Sequence, residues 1–438
     1  MKTYIIFSVI LALAIAGPYP GCPGTPNNAS AIKADPILLK SITNGKKYII
    51  VDPKDPTALV YIGVVSGSAY EMGKALGTLF KEEIKVAVGV LEAFLKFGNF
   101  SLDALPMWME KMQMPNSKIV EIGLSFEQIA TFHYTPQRFI DEIHGLADGS
   151  GLSYDKLTWV NLFPELIRAH CSVAGMWGNA TKNGKLIQLR SLDWDKNLPF
   201  NQFPLITIYH PTEPGSNVFA NFGWPGMIGS LAGYSGKTAV SEADWLPDVD
   251  NQTTIFGQPW MYVLRDVLQF GKDLNSAIEI VQNATRTYKI YAGVGSGTDQ
   301  LFRGIQYIHT DFLVYSDKNW SKPFSDIHPQ FDGIMYWDKS SAQNRPCFGQ
   351  VFKANYGQID AEFVFRQLAP LDQTGDTMVA VYDFGNNVVW LSFSMFEKGI
   401  PAYLRPPFYL DFNKLFALKV NDGEPDYDYY DEHHEIFA

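Results

Sequence analysis

The chain has 438 residues and a formal net charge of −11, with 46% hydrophobic and 14% aromatic residues. That length suits two or three ordinary domains, or one large fold with an extra segment, and the apolar fraction is enough for a sizeable core. The acidic balance excludes a nucleic-acid binder, which needs a basic footprint, and three cysteines exclude a disulfide-stapled scaffold.

Residues 1–16 read as a secretory signal peptide: Lys2 supplies the charged start, Tyr4 to Leu13 the apolar stretch, and Ala14-Ile15-Ala16 the small-residue cleavage site. The apolar run is too short for about 30 Å of hydrocarbon, and no later stretch approaches a transmembrane length. The mature protein is therefore expected to be soluble and either secreted or lysosomal. Sequons at Asn28, Asn99, Asn179, Asn251, Asn283 and Asn319 suit that route as glycosylation sites.

Residues 17–30 are rich in Pro, Gly and Asn and read as loosely structured. Tyr48 to Val51 and Leu59 to Val64 read as strands. From Met72 through Leu76, Leu79, Ile84 and Leu91 to Leu95, the three- and four-residue spacing predicts one amphipathic helix. Thr135-Pro136 opens a second helix, expected to end near Gly145, and a third runs from Ser153 into Phe163. The pattern changes at Cys171. Lys185 to Leu192, Leu205 to Tyr209, Val218 to Phe222 and Thr238 to Glu242 read as strands. Lys182-Asn183-Gly184 marks a hairpin, because Asn-Gly tolerates positive φ. Helices return at Pro259 to Phe270 and Leu274 to Gln282. Strands resume at Gly304 to His309, Met378 to Phe384 and Val388 to Phe393, the last two flanking a Gly385-Asn386-Asn387 turn. Gly293-Val294-Gly295-Ser296-Gly297 reads as a turn. The acidic, Tyr-rich tail from Asn421 is expected to be mobile.

An odd cysteine count in an oxidising compartment leaves one thiol over. The simplest partition pairs Cys22 with Cys347 and leaves Cys171 free. Cys171 begins a strand, and the return strand ends in Arg190-x-x-Asp193, so a hairpin of this length brings both charged residues beside the cysteine. Taken singly, each has an ordinary reading: a cysteine on a strand as a small buried hydrophobe, and Arg-x-x-Asp as an ion pair. Their joint placement across an Asn-Gly hairpin is what points to chemistry. The eight histidines are scattered and no phosphate-cradling glycine loop is present, so no metal or cofactor is expected.

The stretch from Cys171 through the hairpin to Arg190-Ser191-Leu192-Asp193-Trp194 resembles the cysteine N-terminal-nucleophile hydrolases, the group of acid ceramidase, N-acylethanolamine acid amidase and penicillin acyltransferase. Upstream, Gly67-Ser68-Ala69-Tyr70-Glu71-Met72-Gly73, Leu146-Ala147-Asp148-Gly149 and Asn161-Leu162-Phe163-Pro164-Glu165 resemble the prosegment of the acyltransferase branch. Ala232-Gly233-Tyr234 to Ser241-Glu242 resembles a strand pair that bears an active-site glutamate in the ceramidase branch.

The resemblance implies an α+β fold, a four-layer α-β-β-α sandwich preceded by a mainly helical prosegment. It implies self-cleavage between His170 and Cys171, giving a smaller chain of residues 17–170 and a larger one of 171–438 that stay associated, with a Cys22–Cys347 bridge tying them. Cleavage would free an α-amine of pKa about 7.7–8.0, close enough to a thiol near 8.5 to serve as its base. Arg190 would favour the thiolate, Asp193 would hold the ammonium, and Glu242 would shape the cleavage site. The implied reaction is hydrolysis of a linear amide, a lipid N-acyl amide first among them, through an acyl-thioester on Cys171. Acyl transfer, phospholipid deacylation or an inactive lipid-binding relative are the alternatives. Two departures stand out. The asparagine that commonly completes the oxyanion hole is missing from Ala292 to Gly297, leaving Arg303 as the nearby match to a family arginine. Gln188 also stands where a His-Gly pair is expected.

Overall fold

The computed structural model describes residues 19–97, 116–165, 170–243, 254–287, 289–319, 328–339, 346–420 and 427–428. Its strands are β1 (Ile37–Ile42), β2 (Gly45–Asp52), β3 (Asp55–Gly67), β4 (His170–Gly178), β5 (Gly184–Asp193), β6 (Leu205–Pro211), β7 (Phe219–Gly223), β8 (Gly233–Tyr234), β9 (Thr238–Ala243), β10 (Lys289–Ser296), β11 (Leu301–Ile308), β12 (Phe312–Tyr315), β13 (Ile334–Trp337), β14 (Met378–Asp383), β15 (Val388–Phe393), β16 (Phe408–Asp411) and β17 (Tyr427–Asp428). They build an 11-stranded sheet in the order β12-β11-β10-β9-β8-β7-β6-β3-β2-β1-β17 and a 6-stranded sheet in the order β13-β4-β5-β14-β15-β16. The β3–β6 ladder is parallel. A parallel pair needs a long crossover, and the described residues of this one include helices α1 (Ala69–Leu79), α2 (Lys81–Phe97), α3 (Asn116–Phe132), α4 (Gln137–Ser150) and α5 (Tyr154–Leu162). Further along lie α6 (Trp260–Phe270), α7 (Leu274–Asn283) and α8 (Cys347–Asn355).

The sheets pack face to face because glycines admit the opposing side chains. A Cβ on Gly175 of β4 would lie 2.1 Å from the Phe302 ring of β11, and one on Gly304 would lie 2.3 Å from Met335 of β13. Outside the large sheet, Leu76 and Phe80 lie over Gly63, and Leu268 of α6 over Gly233. Outside the small sheet, Phe348 and Phe352 of α8 pack on Tyr336. The layer order is helix, sheet, sheet, helix: the four-layer α-β-β-α sandwich. Among the described residues, no helix is long and apolar enough to cross a membrane.

Three local expectations need correction. The single helix expected from Met72 to Leu95 is two, broken at Phe80 (φ −121°, ψ 28°). The Phe80 ring is buried against Gly63 and meets Tyr61 edge-on at 6.3 Å. Each helix keeps its own apolar side inward, so the spacing runs on through the break.

Gly145 does not end α4, which continues to Ser150 and is capped by Gly151 at φ 72°. Gly145 and Gly149 instead face Gly73 and Gly77 of α1. A Cβ on any of the four would sit 2.0–2.4 Å from a carbonyl oxygen of the partner helix, so the two helices pack backbone to backbone through paired small-x-x-x-small spacings.

The cluster at Gly293 is strand β10 rather than a turn. Its glycines lie where the Phe302 ring, Ser241 Oγ and Gln188 Oε1 leave no space for a Cβ. Of the tail from Asn421, Tyr427–Asp428 pairs with β1, and the rest lies outside the described residues, as does the stretch 1–16 expected to be a signal peptide.

Candidate active site

The hairpin forms as its sequence dictates. Gly184 takes φ 73°, and Asn183 Oδ1 accepts the Lys185 N–H at 3.0 Å. In the β4–β5 register Cys171 lies opposite Leu192 and Val173 opposite Arg190. Side chains alternate along a strand, so Cys171 and Arg190 share one face while Ser172 and Asp193 share the other. The first face meets the large sheet. There, Arg190 donates from Nη2 to Glu242 Oε1 of β9, from Nε to the Leu231 carbonyl at 3.2 Å, and from Nη1 to its neighbour Ser191 O at 2.6 Å. The guanidinium charge also acts on the Cys171 thiol.

Cys171, Arg190 and Glu242 are all buried, at 0%, 0% and 3% exposure. Burial pushes the Cys171 thiol up to about 12; Arg190 pulls it down, and the charges of Glu242 and Asp193 push it further up. Burial likewise raises the Glu242 carboxyl against the pull of Arg190. Cys171 is thus held as a neutral thiol with the Arg190 guanidinium beside it.

Asp193 stands on the opposite face of the hairpin. Its carboxylate accepts from Thr374 Oγ1 at 2.6 Å, Lys339 Nζ at 2.8 Å, Gly375 N–H at 2.9 Å and Asp376 N–H at 3.2 Å. Across the ladder Asp193 pairs with His170, so it flanks the peptide bond whose nitrogen belongs to Cys171. The His170 side chain and residues 166–169 lie outside the described residues.

Lys339 and Thr374, which fix Asp193, carry no sequence signal. They lie 146 and 181 residues downstream of it. Arg303 is not brought to the cysteine. Its neighbours Phe302 and Gly304 face the small sheet, so Arg303 points away from it, donating to the Phe302 carbonyl at 2.8 Å. Gln188 bridges the sheets, donating to Ser241 Oγ at 3.0 Å. It lies two residue pairs further from Cys171 than Arg190 does.

Cys22 and Cys347 form a disulfide with Cα atoms 4.7 Å apart, and Cys171 is a free, buried cysteine. Asn28, Asn179, Asn283 and Asn319 are exposed; Asn99 and Asn251 lie outside the described residues. Among the described residues, no group of three or more His, Cys, Asp or Glu side chains is placed to hold a metal ion.

A mostly apolar cavity lies next to the cysteine's strand pair. Its lining includes Leu192, the cross-strand partner of Cys171, and Leu231 and Glu242, two acceptors of Arg190. Val90 and Leu91 of α2 and Trp194, Trp224 and Trp260 also line it. Both sides of the Cys171 boundary therefore build it.

Behind one wall sit two further buried carboxyls. Burial pushes Glu165 up to about 8 against hydrogen bonds from the Trp260 N–H and Thr287, and burial together with the Glu165 charge raises Glu127 well above the usual range.

No family model matches the chain. It is 32% identical over 370 residues to protein dcd1B of Dictyostelium discoideum, covering 82% of this chain and 72% of that protein. It is 30% identical over 443 residues to protein dcd1A of the same organism, covering 94% and 98%. Among solved structures, a Caenorhabditis elegans N-acylethanolamine-hydrolyzing acid amidase ortholog superposes with a TM-score of 0.38 at 14% identity, covering 55% of this chain and 100% of that one.

Proposed function

The chain belongs to the family of the Dictyostelium discoideum proteins dcd1A and dcd1B, and from its own site geometry we propose that it is a self-processing amidase whose nucleophile is Cys171. The observation that carries the reading is the start of β4: a buried cysteine beside a buried Arg190–Glu242 pair, whose glutamate also lines an apolar cavity.

Processing would begin when the Cys171 sulfur adds to the His170 carbonyl carbon. The peptide nitrogen is protonated and leaves as the Cys171 α-amine, and water then hydrolyses the thioester to a His170 carboxylate. The new amine takes the thiol proton, which answers the high thiol pKa of the uncleaved chain. Arg190 holds the thiolate and Asp193, fixed by Lys339 and Thr374, faces the ammonium. In turnover the thiolate adds to an amide carbonyl, the ammonium returns its proton to the departing amine, and water releases the acid from the acyl-thioester.

The apolar cavity favours an N-acyl lipid amide as substrate. The Cys22–Cys347 bridge supports a secreted or lysosomal location, since such bonds persist in oxidising compartments, and it would keep residues 17–170 bound to 171–438. The test is the intact mass of the protein after incubation at acid and neutral pH, beside Cys171→Ala, followed by assay of an acyl-amide substrate. Two chains and turnover, both absent in the variant, are expected. A single uncleaved chain at both pH values together with no turnover rejects the amidase and leaves a lipid-binding protein.

A further inference from the structure

Among the described residues three arginines are buried, and two of them hold a glutamate: Arg190 pairs with Glu242 and Arg265 with Glu142. The third, Arg405, is 8% exposed and has no carboxylate within ion-pair distance among the described residues. Its guanidinium makes one hydrogen bond, from Nη2 to the Thr57 carbonyl at 3.0 Å. Nε and Nη1 make none, and neither is closed off from solvent as the Nε atoms of Arg138 and Arg265 are. Burial works against the charge and Asp55 supports it through space. The Asp55 carboxylate is itself engaged, accepting the Thr57 N–H at 3.0 Å and Thr57 Oγ1 at 2.6 Å. A buried charge without a partner is destabilising, and free guanidinium N–H groups suit a carboxylate.

Arg405 lines a second cavity, which shares no lining residue with the one next to Cys171. The guanidinium lies at this cavity, because the carbonyl it holds belongs to Thr57, another lining residue. Apolar side chains make up much of the rest: Leu59 and Tyr61 of β3, Phe203 before β6, Phe393 at the end of β15 and Phe408 at the start of β16. A small hydrated anion would leave those side chains unused, and a neutral apolar chain would leave Arg405 unpaired. A carboxylate on an apolar body meets both.

We propose that this cavity is a second ligand site, which takes an amphipathic monocarboxylate with its carboxylate on the Arg405 guanidinium and its apolar body against Phe203, Phe393 and Phe408. The site stands apart from Cys171 and does not rest on the amidase reading. Glu397 also lines it and is exposed; its charge opposes the bound anion and limits the affinity.

Two methionines report the two cavities separately: Met395 lines this one and Met227 the one next to Cys171. Titrations of octanoate, octanamide and acetate are followed by NMR of isotope-labelled methionine methyl groups at neutral pH. The Cys171→Ala protein is used so that nothing turns over, and Met395→Leu and Met227→Leu identify the two signals. At Met395, octanoate is expected to bind about tenfold tighter than octanamide, the size of a hydrogen-bonded charge pair, and tighter than acetate. Arg405→Leu is expected to bring octanoate down to the level of octanamide. Glu397→Gln, a change at an exposed residue, is expected to tighten octanoate about twofold and leave octanamide unchanged. A Met395 signal that octanoate does not move, or that octanoate and octanamide move with equal affinity, overturns the proposal without any further variant being needed. So does an octanoate affinity that survives Arg405→Leu, and so does acetate binding as tightly as octanoate. A response at Met227 alone puts the carboxylate in the other cavity and overturns it as well.

Discussion

Replacing Glu242 with glutamine tests the Arg190–Glu242 pair in two directions at once. Glutamine keeps the shape and an acceptor oxygen but removes the charge, leaving the Arg190 guanidinium with two neutral carbonyls, Leu231 O and Ser191 O. Leaving one charge of a buried pair uncompensated costs about 3–5 kcal/mol. A chain of 438 residues unfolds with an entropy of about 0.9 kcal/mol/K, at 2.1 cal/mol/K per residue, so the melting temperature is expected to fall by about 3–5 °C. The thiol moves the other way. With Cys171 at about 12, roughly one sulfur in 10⁴ is ionised at pH 8, and each unit of lowering raises that fraction tenfold. Glu242 holds the thiol up and Arg190 pulls it down, so Glu242→Gln raises the thiolate fraction and Arg190→Met lowers it. The assay is iodoacetamide labelling of the single-chain protein between pH 7 and 10; Cys22 and Cys347 are silent in their disulfide. Both variants loosen the site, but only the first should label faster than the parent. Equal acceleration in both, or an unchanged melting temperature in Glu242→Gln, would refute the electrostatic account.

Lys339→Met removes a cation hydrogen-bonded to the Asp193 carboxylate; calorimetry should show a loss of roughly 1.5–3 kcal/mol, the range for hydrogen bonds to charged groups, and processing at Cys171 should slow. Glu165 titrates at about 8 when folded, above its ordinary 4.5. Its contribution is therefore whole below about 4.5 and is lost as pH rises through about 8. Melting temperature should fall over that window, and Glu165→Gln should flatten the profile. If the two proposed chains form, a denaturing non-reducing gel should show one band that reduction splits in two. Separate chains without reductant would mean that the Cys22–Cys347 bond does not join them.

How much of this could be read from the residues follows the range of each interaction. The β4–β5 hairpin was legible because all its determinants lie between Cys171 and Asp193: the alternation, the Asn-Gly turn and the Arg-x-x-Asp spacing. Counting three cysteines left one thiol over, and the loose segments around Cys22 and Cys347 made them the simplest pair. Glu242 came from the resemblance, and β9 does carry it to Arg190. What failed to show was set by neighbours distant in sequence. Gly145 looks like a helix end until Tyr70 and Lys74 of α1 lie against the Gly145–Gly149 face, and Gly293 looks like a turn until the Phe302 ring occupies its missing Cβ. Arg303 seemed near the site by sequence order, but the parity of β11 points it the other way. Lys339, Thr374, Trp224 and Trp260 had no local signal at all, since a lysine, a threonine and two tryptophans are ordinary residues until the sheets are stacked. The division has a chemical sense. A proposed nucleophile, Cys171, and its cation, Arg190, must keep a fixed mutual geometry, which one hairpin supplies within a short stretch. Glu242 and the cavity are supplied from other parts of the chain, so they can change while the hairpin is kept. On this reasoning the determinants of selectivity are expected in the walls around Trp224 and Trp260 and those of nucleophilicity between Cys171 and Asp193, and exchanging wall residues should alter which amide binds without moving the pH dependence of Cys171 labelling.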